Sequence, residues 1–515
     1  MFSFKDGNQK RTLESLGKKF FLNPKNYFIP QTIDDFKSVK LFDSRLTVNS
    51  SDWYFNESTK AKFNDFIKLI YSIDDINRTV SFDTVYGSVK IELETEIELK
   101  GQQRELRVFD DVLNTIFNRI SKSRKEYDFY FPIEGIELRN IDTIELKSVQ
   151  LISFEENLKN TILFSTNVND STKEHIEKFI NENLLAHLCI KCSFFGDYKK
   201  AQEEAKFRAR ETLNYFRYVI CLLKYERIYE ELIKIRFLSE AYIGRDEFLA
   251  KNQEDDSVIL EWGRGRSNFE NFVIDEPRLQ ELEEKGFLNE FAEIINGNQN
   301  NRTKLEGCIL SAIYWAGEAQ NEYDWDIAFL KFWTALEGIF SYNKDEPVRQ
   351  TLARGVSITV AALGGYQFIE ICEIKQVKKE IIKLYDERCR IVHGGVRRRI
   401  KSSQLIEICK YTTWTVLSLL SLRSMGCETI EEIDIEVRRI DNMIFSTNSS
   451  AQPQVNLCDK VPLSWQRYWE TEAKRTGTTI TSVVIEALKA RFGEPNQLEN
   501  QISEDLETKH HHAES

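Results

Sequence analysis

Leu384-Tyr385-Asp386-Glu387-Arg388-Cys389-Arg390-Ile391-Val392-His393-Gly394-Gly395, followed at once by Val396-Arg397-Arg398-Arg399, is the stretch on which the rest of the chain turns. Read as a helix over 376–393, its apolar stripe runs Val377, Ile381, Leu384, Tyr385, then Arg388 and Val392, with Cys389 and His393 on the adjoining edge. Arg388 falls where the pattern asks for a core residue, so it must be paired or must face a cleft. Gly394-Gly395 would end the helix and leave His393 in its last turn, where the helix dipole favours a cation.

The local charge is unlike that of the whole. Residues 388–402 hold Arg388, Arg390, Arg397, Arg398, Arg399 and Lys401 and no acidic side chain, whereas the chain carries a formal net charge of −12. A positive field confined to one place in an acidic protein points to a phosphate-bearing partner there. Apart from the tail, histidine occurs only at 175, 187 and 393. A side chain that titrates near neutrality, set among arginines, suits an acid or base beside a phosphodiester. The alternative is a surface helix end with a solvated basic run.

A second helix is expected over 325–340, with the stripe Trp325, Ala328, Phe329, Phe332, Trp333, Leu336 and Phe340. Glu337 borders this stripe one turn after Trp333. A carboxylate there wants a cation and Arg388 wants an anion, so the simplest arrangement pairs them and aims the guanidinium at a cleft. A purely structural ion pair is the other reading, and the two are compatible.

Arg388-x4-His393-Gly394, preceded by Leu384-Tyr385, resembles the Arg-x4-6-His motif of HEPN domains, specifically the Apea-like group. Phe332-Trp333-Thr334-Ala335-Leu336-Glu337-Gly338-Ile339-Phe340 is similar to that group's Trp-x-x-Leu-Glu helix. The family usually places a polar residue directly after the arginine; here Cys389 stands. The resemblance implies an all-α domain over about 300–445 that dimerises and brings two Arg–His pairs into one cleft. It implies an endoribonuclease of anti-phage defence and abortive infection, acting on host or phage RNA, tRNA included. In that chemistry the 2′-hydroxyl attacks the adjacent phosphorus. His393 would take a proton from the nucleophile or give one to the leaving 5′-oxygen, Arg388 would stabilise the pentavalent charge, and Glu337 would support Arg388. Arg390, Arg397, Arg398 and Arg399 would hold the RNA backbone. No cofactor or metal is called for, and residues 388–402 hold no carboxylate to bind one.

The 515 residues, 41% hydrophobic and 30% charged, leave room for about three domains. No run of about 18 apolar residues occurs, and Met1–Gly7 lacks an apolar signal region, so a cytoplasmic protein with no membrane partner is expected. Nine scattered cysteines fit reduced thiols. Cys189-x-x-Cys192 has His187 nearby but no second pair, and Leu185–Cys192 reads as a strand rather than a zinc site.

The fold class expected is α+β and multidomain. Residues 1–195 read as a strand-rich domain. Its clearest segment is 89–100, where Val89, Ile91, Leu93, Thr95, Ile97 and Leu99 alternate with charged residues at period two. Ile136 to Ile152 gives further short strands. In Apea-like proteins such a domain precedes the HEPN domain, which would make it the sensor of a phage-derived trigger; a structural or oligomerising role is the alternative. Residues 196–299 form a helical connection. Ala201, Ala205, Ala209, Leu213, Phe216, Ile220 and Leu223 predict a long helix from Tyr198, and Gly263-Arg264-Gly265-Arg266 a tight turn. Asp275-Glu276-Pro277 opens a helix that Asn296-Gly297-Asn298 ends. The last helix of the HEPN-like part is expected from about Gln404 to Met425.

Residues 446–453 form a polar linker, 454–493 a compact unit and 494–515 a polar tail. Gln454-Val455-Asn456-Leu457-Cys458 alternates as a strand, Pro462 opens one helix, Gly477 caps it, and Val483–Phe492 forms another. About 40 residues cannot hold a core alone, so dimerisation is expected. This unit resembles Arc-like ribbon-helix-helix domains, which implies that Gln454, Asn456 and Cys458 face base edges in the major groove. Its net charge of +2 leaves DNA binding and pure dimerisation both open. The rival to the nuclease is therefore a non-catalytic DNA-binding regulator that uses the helical domain as a dimer scaffold.

Overall fold

The computed structural model describes residues 7–21, 27–28, 45–48, 51–55, 57–101, 108–165, 170–226, 233–238, 248–251, 258–261, 270–297, 301–341, 346–394, 400–446 and 475. In chain order the elements begin with α1 (Gly7–Phe21), β1 (Tyr27–Phe28), β2 (Arg45–Val48), β3 (Ser51–Phe55), α2 (Glu57–Tyr71), α3 (Asp74–Thr79), α4 (Phe82–Gly101) and α5 (Phe109–Ser123). Next come β4 (Lys125–Glu134), β5 (Ile136–Leu138), β6 (Thr143–Leu146), β7 (Val149–Ser153), α6 (Glu156–Ser165), α7 (Asp170–Asn183), β8 (Leu188–Gly196) and α8 (Tyr198–Lys224). The short β9 (Arg236–Phe237), β10 (Phe248–Lys251), β11 (Val258–Glu261) and β12 (Phe272–Ile274) follow. The remainder is α9 (Glu276–Glu284), α10 (Leu288–Asn296), α11 (Lys304–Gln320), α12 (Trp325–Phe340), α13 (Val348–Ala362), α14 (Ile374–His393), α15 (Ser402–Ser424) and α16 (Ile430–Ser446). The chain is mixed α and β and mostly helical. It divides into one unit of residues 1–132 with 143–210 and another of 133–142 with 211–515.

The first unit is less stranded than its sequence suggests. Helices α1, α2, α4 and α5 enclose a core of Leu13, Phe21, Phe63, Phe66, Val89, Phe109 and Ile116. Gly17 is demanded there, because a Cβ would meet Phe109 Cζ at 1.9 Å. Residues 89–100, expected as a strand, lie inside α4. Val85, Val89, Leu93 and Ile97 are buried, four residues apart on one helical face, while Ile91 is exposed. Every second member of a period-two alternation is also an i, i+4 row, so the pattern satisfied both geometries. Burial of Glu92 and Glu96 in the same helix is the other departure; Glu92 accepts from Arg119 at 2.6 Å.

The strands expected over 136–152 and around Cys189–Cys192 are present. Strands β6, β7 and β8 pair antiparallel, Ile144 opposite Leu151 and Leu151 opposite Ile190, and β4 lies beyond β8. Helices α6 and α7 cover this sheet through Phe154, Ile180, Leu184 and Cys189, with Tyr130 edge-on to Phe154. Asp197 sits where β8 passes into α8. Its carboxylate accepts from Ser81 N–H at 2.9 Å, Ser81 Oγ at 2.7 Å and Lys200 N–H at 2.8 Å. The helix expected from Tyr198 is α8, with Ala201, Ala205, Ala209, Leu213, Phe216 and Ile220 buried.

The second unit is built on helices α11 to α16. Asp275 caps α9 by accepting from Arg278 N–H at 3.0 Å, as its sequence predicts, with Pro277 in the first turn. The single helix expected from there to Asn296 is two, α9 and α10, broken at Phe287, which has a left-handed φ of +54°. Thr303 and Glu306 form a capping box that starts α11. Helix α15 is buried along most of its length and packs against α11, α12 and α13. It is not the last: α16 follows, on the buried row Ile430, Ile433, Val437 and Ile440. The described residues of 300–445 are helices and short connections, as expected.

The turn 263–266, the linker 447–453, the ribbon-helix-helix-like segment with Gln454, Asn456 and Cys458, and the tail lie outside the described residues, Arg475 excepted. Among the described residues no helix is long and apolar enough to cross a membrane.

Candidate active site

Helices α12 and α14 meet in two consecutive layers, one helical turn apart on each. In the first, the buried Trp333 ring stands edge-on to Tyr385, with centroids 5.3 Å apart and planes at 79°. In the second, Arg388 Nη2 donates to Glu337 Oε2 at 3.1 Å, and Nε lies 3.0 Å from Oε1. The two side chains are 22% and 23% exposed, so the pair is neither dry nor freely solvated. The layers are linked, because the Arg388 guanidinium carbon sits 5.7 Å from the centre of the Tyr385 ring. Burial first, then the Glu337 carboxylate, raise the Tyr385 phenol above its ordinary value, so the ring stays neutral.

The stripe predicted for α14 holds through Val377, Ile381 and Leu384, all buried, and then opens. Val392, expected on the same face, is 46% exposed. The register accounts for this. With Arg388 opposite Glu337, the next turn of α14 stands opposite Phe340 and Ser341, where α12 ends. The last turn of α14 has outrun its neighbour. His393 closes α14 as its final residue and is exposed, and the Gly394 N–H bonds back to the Arg390 carbonyl.

Arg388 and His393 therefore do not converge within one chain. Five helical residues separate them by roughly 140° around the axis and ~7.5 Å along it. The structure brings together Arg388, Glu337, Tyr385 and Trp333; it places His393, exposed, at the helix end.

The remaining basic residues divide. Arg397, Arg398 and Arg399 lie outside the described residues. Arg390 is 53% exposed and paired with Glu387, three residues earlier on α14. It also lines a cleft of about 450 Å3 between α14 and α15, together with Glu380, Lys383, Asp386, Glu387 and Glu407. Four carboxylates against two cations make this flank acidic. Burial, then the facing Glu380 carboxylate, push Glu407 up, and Glu380 also accepts from Tyr411 Oη at 2.7 Å. Asp386 also pairs with Arg349 at 2.9 Å, which offsets part of that charge.

Beyond the gap, Ile400 N–H donates to Asp326 Oδ1 at 2.7 Å and Lys401 N–H to Gln404 Oε1 at 3.1 Å, which fixes the start of α15 beside the first turn of α12. The Tyr385 ring and the acidic cleft were missed as site features. Tyr385 stood on the predicted stripe, three residues before Arg388, which was signal enough. Glu380 and Glu407 are 27 residues apart in sequence and only packing joins them. Among the described residues no group of three or more histidine, cysteine, aspartate or glutamate side chains could hold a metal ion. Comparisons with protein-family models, with curated proteins and with solved structures find no match for this chain.

Proposed function

We propose that the chain is a metal-independent endoribonuclease of the HEPN type, an abortive-infection effector that cuts host or phage RNA in a cleft completed by a second copy. One observation carries this reading: an arginine stands on an apolar helical stripe, held by a carboxylate at the last packed layer before that helix runs out. A scaffold has no need of it, since an apolar residue of similar volume packs there at no electrostatic cost. Glu337 engages the Nε and Nη2 side of the guanidinium, which leaves the Nη1 side to meet phosphoryl oxygens.

The reaction follows from these groups. The 2′-oxygen forms a bond to phosphorus as its proton passes to a base, and the bond to the 5′-oxygen breaks as that oxygen gains a proton. The products are a 2′,3′-cyclic phosphate and a 5′-hydroxyl, and no water is consumed. Arg388 stabilises the charge on the non-bridging oxygens, and His393 moves the protons. Because Arg388 and His393 diverge around one helix, a second chain supplies the facing pair, and acid and base come from two subunits. RNA approaches on the flank away from the Glu380–Glu407 cleft.

The test is incubation of the purified chain with total cellular RNA in the presence of EDTA, comparing wild type with Arg388→Ala and His393→Ala. Cleavage by wild type alone, leaving cyclic-phosphate ends, is the expected result. Silence on that RNA and on RNA from infected cells overturns the reading in favour of the DNA-binding regulator.

A further inference from the structure

The function proposed above uses Arg388, His393 and Glu337 and leaves Tyr385 unassigned. Its ring makes two contacts of different kinds. One edge-on contact, 5.3 Å between centroids, fixes it against Trp333, whose side chain is fully buried in α12. The Arg388 guanidinium carbon lies 5.7 Å from the same ring's centre, within cation–π range. Glu337 alone does not define the guanidinium plane. Only the Nη2–Oε2 contact is an aligned hydrogen bond, and the 3.0 Å approach of Nε to Oε1 is off-line, leaving that oxygen without a hydrogen bond. One aligned bond and one off-line ion-pair contact hold the planar group on one edge and leave room for a further constraint on its plane. The Tyr385 ring supplies the second constraint.

We propose that Tyr385 is the positioning residue for Arg388: its ring, clamped by Trp333, holds the guanidinium in the plane that presents Nη1 to phosphate. This rests on the ribonuclease reading for its consequence but not for its geometry. The ring face does the positioning, so the hydroxyl is dispensable and an aliphatic side chain is no substitute. Arg388 keeps its charge and its place on α14 in every Tyr385 variant, so the effect falls on turnover rather than on RNA affinity.

Two readouts on the full chain test this, using Tyr385→Phe and Tyr385→Leu. The first is hydrogen exchange of the Arg388 Nε–H by nuclear magnetic resonance, the signal being assigned by its loss in Arg388→Lys. Exchange in Tyr385→Phe stays close to wild type, and in Tyr385→Leu it speeds by roughly tenfold, the size of a cation–π contact at a partly exposed site. Equal exchange in Tyr385→Leu and wild type overturns the proposal, because Glu337 then suffices. Fast exchange in Tyr385→Phe, which keeps the ring and folds with least change, overturns it too, because the hydroxyl is then the cause. The second readout is cleavage: Tyr385→Leu lowers kcat by about tenfold with KM within about twofold, and Tyr385→Phe restores kcat. If wild type cleaves no RNA while the exchange pattern stands, the nuclease reading falls and the positioning role remains. If wild type cleaves and Tyr385→Leu matches it in both readouts, the positioning role falls alone.

Discussion

Replacing Glu337 by glutamine keeps the shape of the side chain and removes the charge that faces Arg388, so it isolates the pair between α12 and α14. Its magnitude can be bracketed. Exposed ion pairs contribute about 0–1 kcal/mol, and removing one partner of a fully buried pair costs about 3–5 kcal/mol. With both side chains a little over a fifth exposed and contacts of 3.0 and 3.1 Å, a coupling of ~1–2 kcal/mol is expected, which is a factor of roughly 5–30 in an equilibrium constant. Because the chain has more than one unit, a single unfolding midpoint is a poor gauge. Amide hydrogen exchange of peptides spanning 374–393 reads the local opening of α14 instead. Glu337→Gln and Arg388→Gln should each speed exchange there by about tenfold, and the double variant should be no faster than either. The reasoning is refuted if the double variant exchanges at the product of the two single effects, since the side chains would then act independently.

Two further outcomes follow from the first unit and from the cysteines. Burial pushes both Cys189 and Cys192 up to about 12, which leaves a thiolate fraction near one in ten thousand at pH 8, on the order of a thousandfold below an ordinary thiol. Alkylation of the native chain followed by mass spectrometry should therefore label the exposed Cys372 at least about 100-fold faster than either. Burial raises the Asp197 carboxyl, but hydrogen bonds from Thr84, the Lys200 N–H and Ser81 outweigh it and leave it below its ordinary value. A carboxylate whose folded value is depressed stabilises the fold above its unfolded value of about 3.9 and loses that contribution as pH falls through the folded one. Amide hydrogen exchange of peptides spanning 79–84 and 197–201 should be faster in Asp197→Asn than in wild type at pH 7, and the gap in opening free energy should close progressively below about pH 4.

What could be read from the sequence depended on whether a pattern had one geometric solution. The α12 stripe from Ala328 to Phe340 repeats at three and four, which no strand accommodates, and the structure buries those residues. The same holds for α8 and for α14 up to Leu384. The pairing of Glu337 with Arg388 was legible for a related reason: each was the one charge bordering or interrupting an apolar stripe, and only an opposite charge makes that tolerable. Residues 89–100 had two solutions. Alternation contains an i, i+4 row, and the choice fell to α1, α2 and α5, which offer that row a helical core. Glutamate, leucine and lysine at helix-favouring propensities were the overlooked counter-signal. The acidic cleft was beyond reach, since Glu380 and Glu407 belong to helices whose packing no local pattern fixes.

The position of Arg388 is best understood from where α12 ends. A helix that stops with its partner leaves both termini equally solvated and offers no defined surface. Helix α14 instead continues one turn past Phe340, so Arg388 lies in the last layer that packing can hold and His393 in the first turn that it cannot. On the proposed ribonuclease reading, that offset separates two demands that conflict. A transition-state charge is best met by a cation fixed before the reaction, which needs the Trp333–Tyr385 and Glu337 supports. A proton carrier needs access to both substrate and solvent, which the exposed helix end supplies. The same offset leaves the two groups on divergent directions of one helix, so convergence on a single phosphorus requires a second surface. On that same reading a second copy, bringing its own anchored arginine opposite the exposed histidine, supplies it.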